Sequence, residues 1–332
     1  MPQNRQILLA SRPAGFPTEA NFKLVETPVP QPADGQFLVR NHWLSLDPYM
    51  RGRMDAVKSY AKYVELGEVM TGGTVGEIIA SRHPQFAVGE YVTGALGWQE
   101  YALSDGTAVR KVDPTRAPLS YSLGVLGMPG VTAWVGLLDI AQPKAGETVL
   151  VSAASGAVGS VVGQLAKSKG CRAVGIAGGG AKCDYVVKEL GFDACVDYKR
   201  GALHEDLKAA LPDGADVYFE NVGGETLDTA LRHMRPFSRI TICGLVSQYS
   251  ATEQYGLKNI RALLVNRIRM QGFIVSDRMQ LWPQALAELG EHVAAGRIRY
   301  RECVAQGLEN APRAFLGMLR GENFGKQLVK LT

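Results

Sequence analysis

Cysteine is absent from the first 170 residues of this 332-residue chain. The five that follow, Cys171, Cys183, Cys195, Cys243 and Cys303, are odd in number, far apart in sequence and never in a CxxC pair. That argues against a disulfide framework and a structural zinc lobe, and for reduced thiols in a cytoplasm. Long apolar runs are missing too: nothing approaches the ~20 residues of a membrane span. The segment Met1 to Ala20, with Arg5, Arg12, Pro13, Pro17 and Glu19, lacks the apolar centre of a signal peptide. Nor does charge of one sign dominate. Lys and Arg number 36 against 32 Asp and Glu, a formal +4 scattered along the chain, so no basic stripe or tail offers itself to nucleic acid. Internal repeats and low-complexity segments are absent. What is present, 46% apolar and 20% charged residues on a chain too long for one comfortable core, predicts a globular enzyme of two domains.

Before about residue 120 the texture is of short strands broken by Gly and Pro: Gln6–Ala10, Gln36–Leu44, Gly76–Ser81, Tyr91–Ala95 and Trp98–Leu103. No long helical period interrupts them, so residues 1–120 are expected to form a small, mostly β domain. From Tyr121 the pattern changes. Strands are predicted at Thr148–Ala153, Arg172–Ala177, Ala194–Asp197, Asp216–Glu220, Arg239–Cys243 and Arg269–Val275. Helices are predicted at Ala157–Lys169, Ala181–Leu190, Leu203–Leu211, Glu225–Met234 and Leu281–Ala295. Apolar strands alternating with helices imply an α/β domain with a doubly wound parallel sheet, residues 121–298. The last stretch, 299–332, ends in a strand-like Lys326–Leu331 and is expected to return to the first domain.

The strand at Thr148 runs into Ala154-Ser155-Gly156-Ala157-Val158-Gly159 and then a helix, an AxGxxG variant of the dinucleotide fingerprint. Gly156 lets backbone approach a pyrophosphate, Gly159 lets the helix pack on the strand, and the helix N-terminus carries free amides and partial positive charge. At the end of the next strand an NAD site places a carboxylate for the ribose hydroxyls. Here the residues are Ala177-Gly178-Gly179-Gly180-Ala181-Lys182. No carboxylate repels a 2′-phosphate and Lys182 stands one turn on, which favours NADPH over a merely solvated lysine. A catalytic zinc would need thiolate and imidazole ligands. The first domain offers no cysteine, and His42 and His83 read as ordinary polar positions, so no metal is expected. Without a Lewis acid, hydride transfer suits a carbon–carbon double bond conjugated to a carbonyl. Hydride goes to the β-carbon, charge collects on the carbonyl oxygen, and a proton reaches the α-carbon. Neutral donors such as tyrosine serve that oxygen.

Several segments together resemble the zinc-independent medium-chain dehydrogenase/reductases, in the branch of prostaglandin, alkenal and curcumin reductases. They are Leu46-Asp47-Pro48-Tyr49-Met50-Arg51-Gly52-Arg53-Met54, Gly127-Met128-Pro129-Gly130-Val131-Thr132-Ala133, Gly156-Ala157-Val158-Gly159, Glu220-Asn221-Val222-Gly223-Gly224, Ile242-Cys243-Gly244-Leu245-Val246-Ser247-Gln248-Tyr249 and Asn323-Phe324-Gly325-Lys326. The resemblance implies a GroES-like domain, a Rossmann domain, substrate in the cleft between them, and a homodimer. It implies that Gly156, Ala157, Val158 and Gly159 cradle the pyrophosphate and that Lys182 and Tyr198 hold the 2′-phosphate. Asn221, the run Cys243, Gly244, Leu245, Val246, Ser247, Gln248 and Tyr249, then Phe273, Ile274, Val275 and Asn323, would line the rest of the NADPH, with Thr132 near the nicotinamide.

Plainer readings stand beside these. Asn221 would make an Asx-turn with Gly223 and Gly224, Tyr198 would be a half-exposed strand-end aromatic, and Phe273 to Val275 would be sheet core. Cys243 would be a small filler and Asn323 a loop cap. Tyr49, Tyr60 and Tyr249 are the candidate proton donors, with water as the alternative. Arg51 and Arg53 would bind a polar substrate end or form surface or interdomain pairs. A quinone oxidoreductase and a non-catalytic NADPH-binding protein are the rival functions. NADPH consumption with an enone, yielding saturated product, separates the three.

Overall fold

The computed structural model describes residues 3–332. Two units emerge, one running to Gly124 and resumed by Glu302–Thr332, the other spanning Val125–Arg301. In the first, β1 (Gln3–Leu9) and β2 (Phe22–Pro28) form an antiparallel ribbon. β3 (Phe37–Ser45) follows, then the short helix α1 (Tyr49–Arg53), β4 (Thr74–Ser81), β5 (Tyr91–Gly94), β6 (Tyr101–Ser104) and β7 (Arg110–Val112).

The second unit holds α2 (Met128–Trp134), a π-helical stretch Val135–Ala141, β8 (Thr148–Ser152), α3 (Gly159–Ser168), β9 (Arg172–Ala177), α4 (Gly180–Lys188), β10 (Ala194–Asp197) and α5 (Leu203–Ala210). It continues through β11 (Ala215–Glu220), α6 (Gly224–Leu231), β12 (Met234–Ile242), α7 (Arg261–Val265), β13 (Arg269–Gly272) and α8 (Trp282–Ala294). The chain then returns to the first unit as β14 (Glu302–Gln306), α9 (Ala311–Leu319) and β15 (Lys326–Lys330).

The first unit's larger sheet runs β14-β15-β3-β4-β5-β7, with β6 also paired to β3. The C-terminal strand β15 lies parallel to β14 and antiparallel to β3. Its core gathers around Trp98, which stacks on Phe22 at 5.5 Å and meets Phe315 of α9 edge-on at 5.6 Å. Trp98 is not in a strand, because β6 starts only at Tyr101. β2, β7, β14 and α9 were not expected from the sequence. The first three are short or half-exposed, while α9 carried a readable signal in Pro312 and in buried Ala311, Phe315 and Leu316.

The second unit's sheet is parallel throughout, in the order β10-β9-β8-β11-β12-β13. Helices cover both faces of such a sheet, which is why Val149, Leu150, Val151, Ala173, Val174 and Ile176 are all buried. Strand order reverses between β8 and β11, and in sheets of this kind ligands bind at the carboxyl ends of the strands where the order reverses. Some predicted boundaries move. The β8 strand ends at Ser152, and Ala157 and Val158 precede α3. Met234 opens β12 rather than closing α6, and Phe273 to Val275 lie beyond β13. No helix among the described residues is long and apolar enough to cross a membrane.

Candidate functional site

At the end of β8 the backbone of Ala153 adopts a left-handed φ of 49°, and the Gly156 amide donates to Ala153 O at 2.9 Å, closing a tight turn into α3. A Cβ on Gly159 would lie 2.4 Å from Ala153 O, so only glycine allows the helix this near the turn. A Cβ on Gly156 would meet nothing but Ala153 O at 3.1 Å, leaving that side open. No side chain caps α3, and the amides of Ala157, Val158 and Gly159 make no hydrogen bond among the described residues. Unpaired amides at a helix start, with the helix dipole behind them and an open face beside Gly156, suit a bound phosphate.

On the neighbouring strand, Glu220 at the end of β11 is fully buried. Its Oε1 accepts from Ser152 Oγ at 3.0 Å, from the Gly223 amide at 2.8 Å and from the Val222 amide. Asn221 donates its amide to Ser152 Oγ and its Nδ2 to Ser152 O, both at 2.8 Å. The plainer reading of Asn221 as an Asx-turn therefore does not hold: Glu220 holds the turn, and Asn221 ties β11 to β8. Sequence reading missed Glu220 and Ser152 as organisers. The available signal was a carboxylate ending a buried strand, which demands partners.

Burial raises the Glu220 pKa above the ordinary carboxylate value, and its Oε2 finds no partner among the described residues. Because the folded pKa exceeds the unfolded one, the native state holds more protons between the two. The contribution of Glu220 to stability is therefore full at low pH and declines as pH rises through that window. A Glu220→Gln variant should flatten this part of the pH–Tm profile. A variant curve parallel to the wild type's would contradict the assignment.

The segment after β12 is sewn to the same turn. Cys243 and Gly244 donate their amides to Glu220 O at 2.9 and 3.2 Å, Val246 to Asn221 O at 3.2 Å, and Ser247 to Val222 O at 2.9 Å. Gln248 Nε2 reaches Ser247 Oγ at 3.0 Å, and Tyr249 oxygen accepts from the Leu245 amide at 3.2 Å. Tyr249 thus holds its own loop. Desolvation pushes the Cys243 thiol up to about 12, so it stays neutral. Phe273, Ile274 and Val275 are half-buried, not sheet core. The Phe273 ring lies against the π-helical stretch, where a Cβ on Gly136 would come within 2.8 Å of it. Thr132 is buried, its Oγ1 donating to Met128 O at 2.7 Å.

At the end of β9 the Gly178–Gly180 turn has Tyr198 beside it, since a Cβ on Gly178 would lie 3.0 Å from the Tyr198 hydroxyl and 3.1 Å from Lys199 Cε. Lys182 is the third residue of α4, whose first turn also lacks a side-chain cap. The structure therefore gathers Tyr198, the glycine turn and the α4 start, and adds Lys199, which sequence reading passed over. Asp197, at the end of β10, lies at this turn as well, a carboxylate that the residues following β9 in sequence do not reveal. Its Oδ1 accepts the Gly179 amide at 2.7 Å and the Lys199 amide at 3.0 Å, which offsets its charge.

In the first unit Arg53 is buried and brings two candidate tyrosines together. Its guanidinium lies 4.4 Å from the Tyr60 ring centroid and 5.7 Å from that of Tyr49, and it donates to Ala61 O at 2.9 Å. Tyr60 is 58% exposed. Burial, with Asp47 and Tyr60 adding to it, lifts the Tyr49 pKa far above the usual phenol range. Arg51 is buried and engaged with Asp55 Oδ2 at 2.7 Å and Gly15 O at 2.9 Å, so neither arginine is a surface pair. Asn323 Nδ2 donates to Gly325 O at 2.8 Å, the loop-closing contact of its plainer reading. His42 meets Tyr91 edge-on, and His83 Nδ1 accepts the Gln85 amide at 3.1 Å. This unit does hold one cysteine, Cys303 on β14. No three His, Cys, Asp or Glu side chains among the described residues cluster to hold a metal ion.

Comparison with known proteins covers the chain end to end. A family model described as the N-terminal domain of oxidoreductase matches residues 5–112, and one described as zinc-binding dehydrogenase matches residues 157–291. The chain is 48% identical to the NADPH-dependent curcumin reductase of Escherichia coli (strain K12), over 99% of this chain and 97% of that protein. It is 42% identical to the 2-alkenal reductase (NADP(+)-dependent) of Nicotiana tabacum, over 99% and 98%. The crystal structure of CurA in complex with NADPH from Vibrio vulnificus superposes with a TM-score of 0.94 at 50% identity, covering 99% of each chain.

Proposed function

The chain belongs to the medium-chain dehydrogenase/reductases, in the branch holding the curcumin and alkenal reductases, and from that premise we propose that it reduces the carbon–carbon double bond of α,β-unsaturated ketones and aldehydes with NADPH. The observation that carries the reading is the glycine turn from β8 into α3 at the β8/β11 reversal, in a chain matched over 99% of its length by NADPH-dependent reductases. Bound NADPH supplies the hydride.

The chain's own residues do the rest. Gly156 to Gly159 present amides to the pyrophosphate, while Lys182 and Tyr198 hold the 2′-phosphate. Asn221, the Cys243–Tyr249 segment and Phe273 to Val275 line the remaining groove, and Thr132 and Asn323 complete the cofactor set by resemblance. Enone reduction gathers charge on the carbonyl oxygen, which a protonated phenol can stabilise by donating a hydrogen bond. Tyr49, kept protonated by burial, and the exposed Tyr60 share the Arg53 cluster and fit that task. Tyr249, whose oxygen braces its own loop, fits it less well.

The same reading makes the protein a cytoplasmic homodimer acting on a small-molecule substrate without zinc. His42 and His83 are engaged locally, and among the described residues neither belongs to a group of three His, Cys, Asp or Glu side chains. NADPH carrying deuterium at its reactive C4 position tests the chemistry. The label should reach the β-carbon of a saturated ketone, with activity unchanged after exhaustive chelation. Label on the carbinol carbon of an allylic alcohol, or activity lost with one zinc per chain, refutes the proposal.

A further inference from the structure

Two of the five cysteines, twelve positions apart in sequence, meet in space. Cys195 on β10 donates its thiol to Cys183 on α4, with Sγ to Sγ at 2.9 Å. Both are free and half-buried, and among the described residues no third ligand joins them to make a metal site. The gap is under ~1 Å longer than a disulfide bond of ~2.05 Å, so small side-chain and helix adjustments close it.

The pair also joins two functional segments. Cys183 follows Lys182 in the uncapped first turns of α4. Cys195 lies on the strand that ends at Asp197, which receives the Gly179 amide at 2.7 Å and precedes Tyr198. We propose that Cys183 and Cys195 are a reversible thiol–disulfide site, joined by hydroperoxide, whose closure loosens the grip on the 2′-phosphate; this coupling rests on the placement of Lys182 and Tyr198 given above.

The chemistry has an evident order. The hydrogen bond from Cys195 holds the Cys183 thiol below its ordinary range, and the same contact pushes Cys195 up. The thiolate is the nucleophile. Cys183 Sγ attacks a peroxide oxygen, the O–O bond breaks, and hydrogen peroxide leaves one oxygen on sulfur as sulfenic acid while the other departs as hydroxide and takes up a proton. Cys195 Sγ then attacks Cys183 Sγ, the S–O bond breaks, and the hydroxide leaves with the Cys195 proton as water. Two thiols are oxidised and one peroxide is reduced to two waters. Bond formation draws the first turns of α4 toward β10 and moves Lys182 with them.

The test uses the whole reduced protein, titrated with hydrogen peroxide, alkylated and digested without reductant. Mass spectrometry should find a Cys183–Cys195 cross-link two hydrogens lighter than the dithiol and reversed by dithiothreitol. The NADPH dissociation constant, read from nucleotide fluorescence, should rise 3- to 10-fold, on the order of 1 kcal/mol at 1.4 kcal/mol per tenfold. Cys195→Ser and Cys183→Ser variants should form no cross-link and keep their NADPH affinity under peroxide. Sulfinic acid at Cys183 without a cross-link, or pairing with another cysteine, overturns the site. A cross-link that leaves NADPH affinity unchanged overturns the coupling. The cross-link is read by mass alone, so its presence or absence stands even if Lys182 proves not to bind the phosphate.

Discussion

A Lys326→Met variant is expected to lose about 3–5 kcal/mol of folding stability, the usual consequence of removing one partner of a buried ion pair. Lys326 is 1% exposed, and its three protons go to Leu46 O at 2.7 Å, Asp47 Oδ1 at 2.9 Å and Gln327 O at 3.2 Å. Methionine fills the space but leaves a buried carboxylate and two carbonyls without that donor. Among the described residues Asp47 keeps only Ser45 Oγ as a side-chain partner. The loss corresponds to roughly 6–20 °C in Tm for a unit of this size. Calorimetry checks it, and a decrease below about 1 kcal/mol would show that the pair is dispensable. An Asp47→Asn/Lys326→Met double variant should recover part of the loss, because no buried charge then remains unpaired. Asp47 stands one residue before the Pro48 that caps the helix carrying Tyr49 and Arg53, so surviving single-variant protein should also lose turnover.

Lys182→Ala should weaken NADPH by about 1.5–3 kcal/mol, the range for a hydrogen bond to a charged group, or roughly 10- to 150-fold in Kd. NADH, which lacks the 2′-phosphate, should bind almost as before. A cation in the first turn of a helix gains nothing from the dipole, which is why a ligand phosphate explains this lysine better than helix stability does. Titrating both nucleotides against variant and wild type, with the apo-protein Tm as a control for folding, decides the matter. Equal losses for the two nucleotides would remove Lys182 from the phosphate site. Because Lys199 stands beside Tyr198 at the same turn, Lys199→Ala should produce a smaller loss with the same preference for NADPH.

Local pattern carried the second unit. Runs such as Val149-Leu150-Val151 are apolar because the strand is covered on both faces, and that requirement is written at each position. The turn from Ala153 to Gly159 was equally legible, since a close backbone approach admits only glycine. Pairing between distant segments was not. β2 (FKLVETP) and β14 (ECVAQ) have no clean alternation, and only the partners β1 and β15 make them strands.

The site divides in the same way. Sequence by itself determined the alternation of strands and helices in the second unit and the glycine turn from β8 into α3, because each depends on neighbours within a few residues. Tertiary structure alone decided that Glu220 rather than Asn221 holds the turn at the strand reversal. It alone placed Arg53 against both Tyr49 and Tyr60, and brought Cys183 to Cys195. Hydrogen-bond and sulfur contacts reach only a few ångströms, so they exist only once the sheet and helices have carried remote residues to the same place.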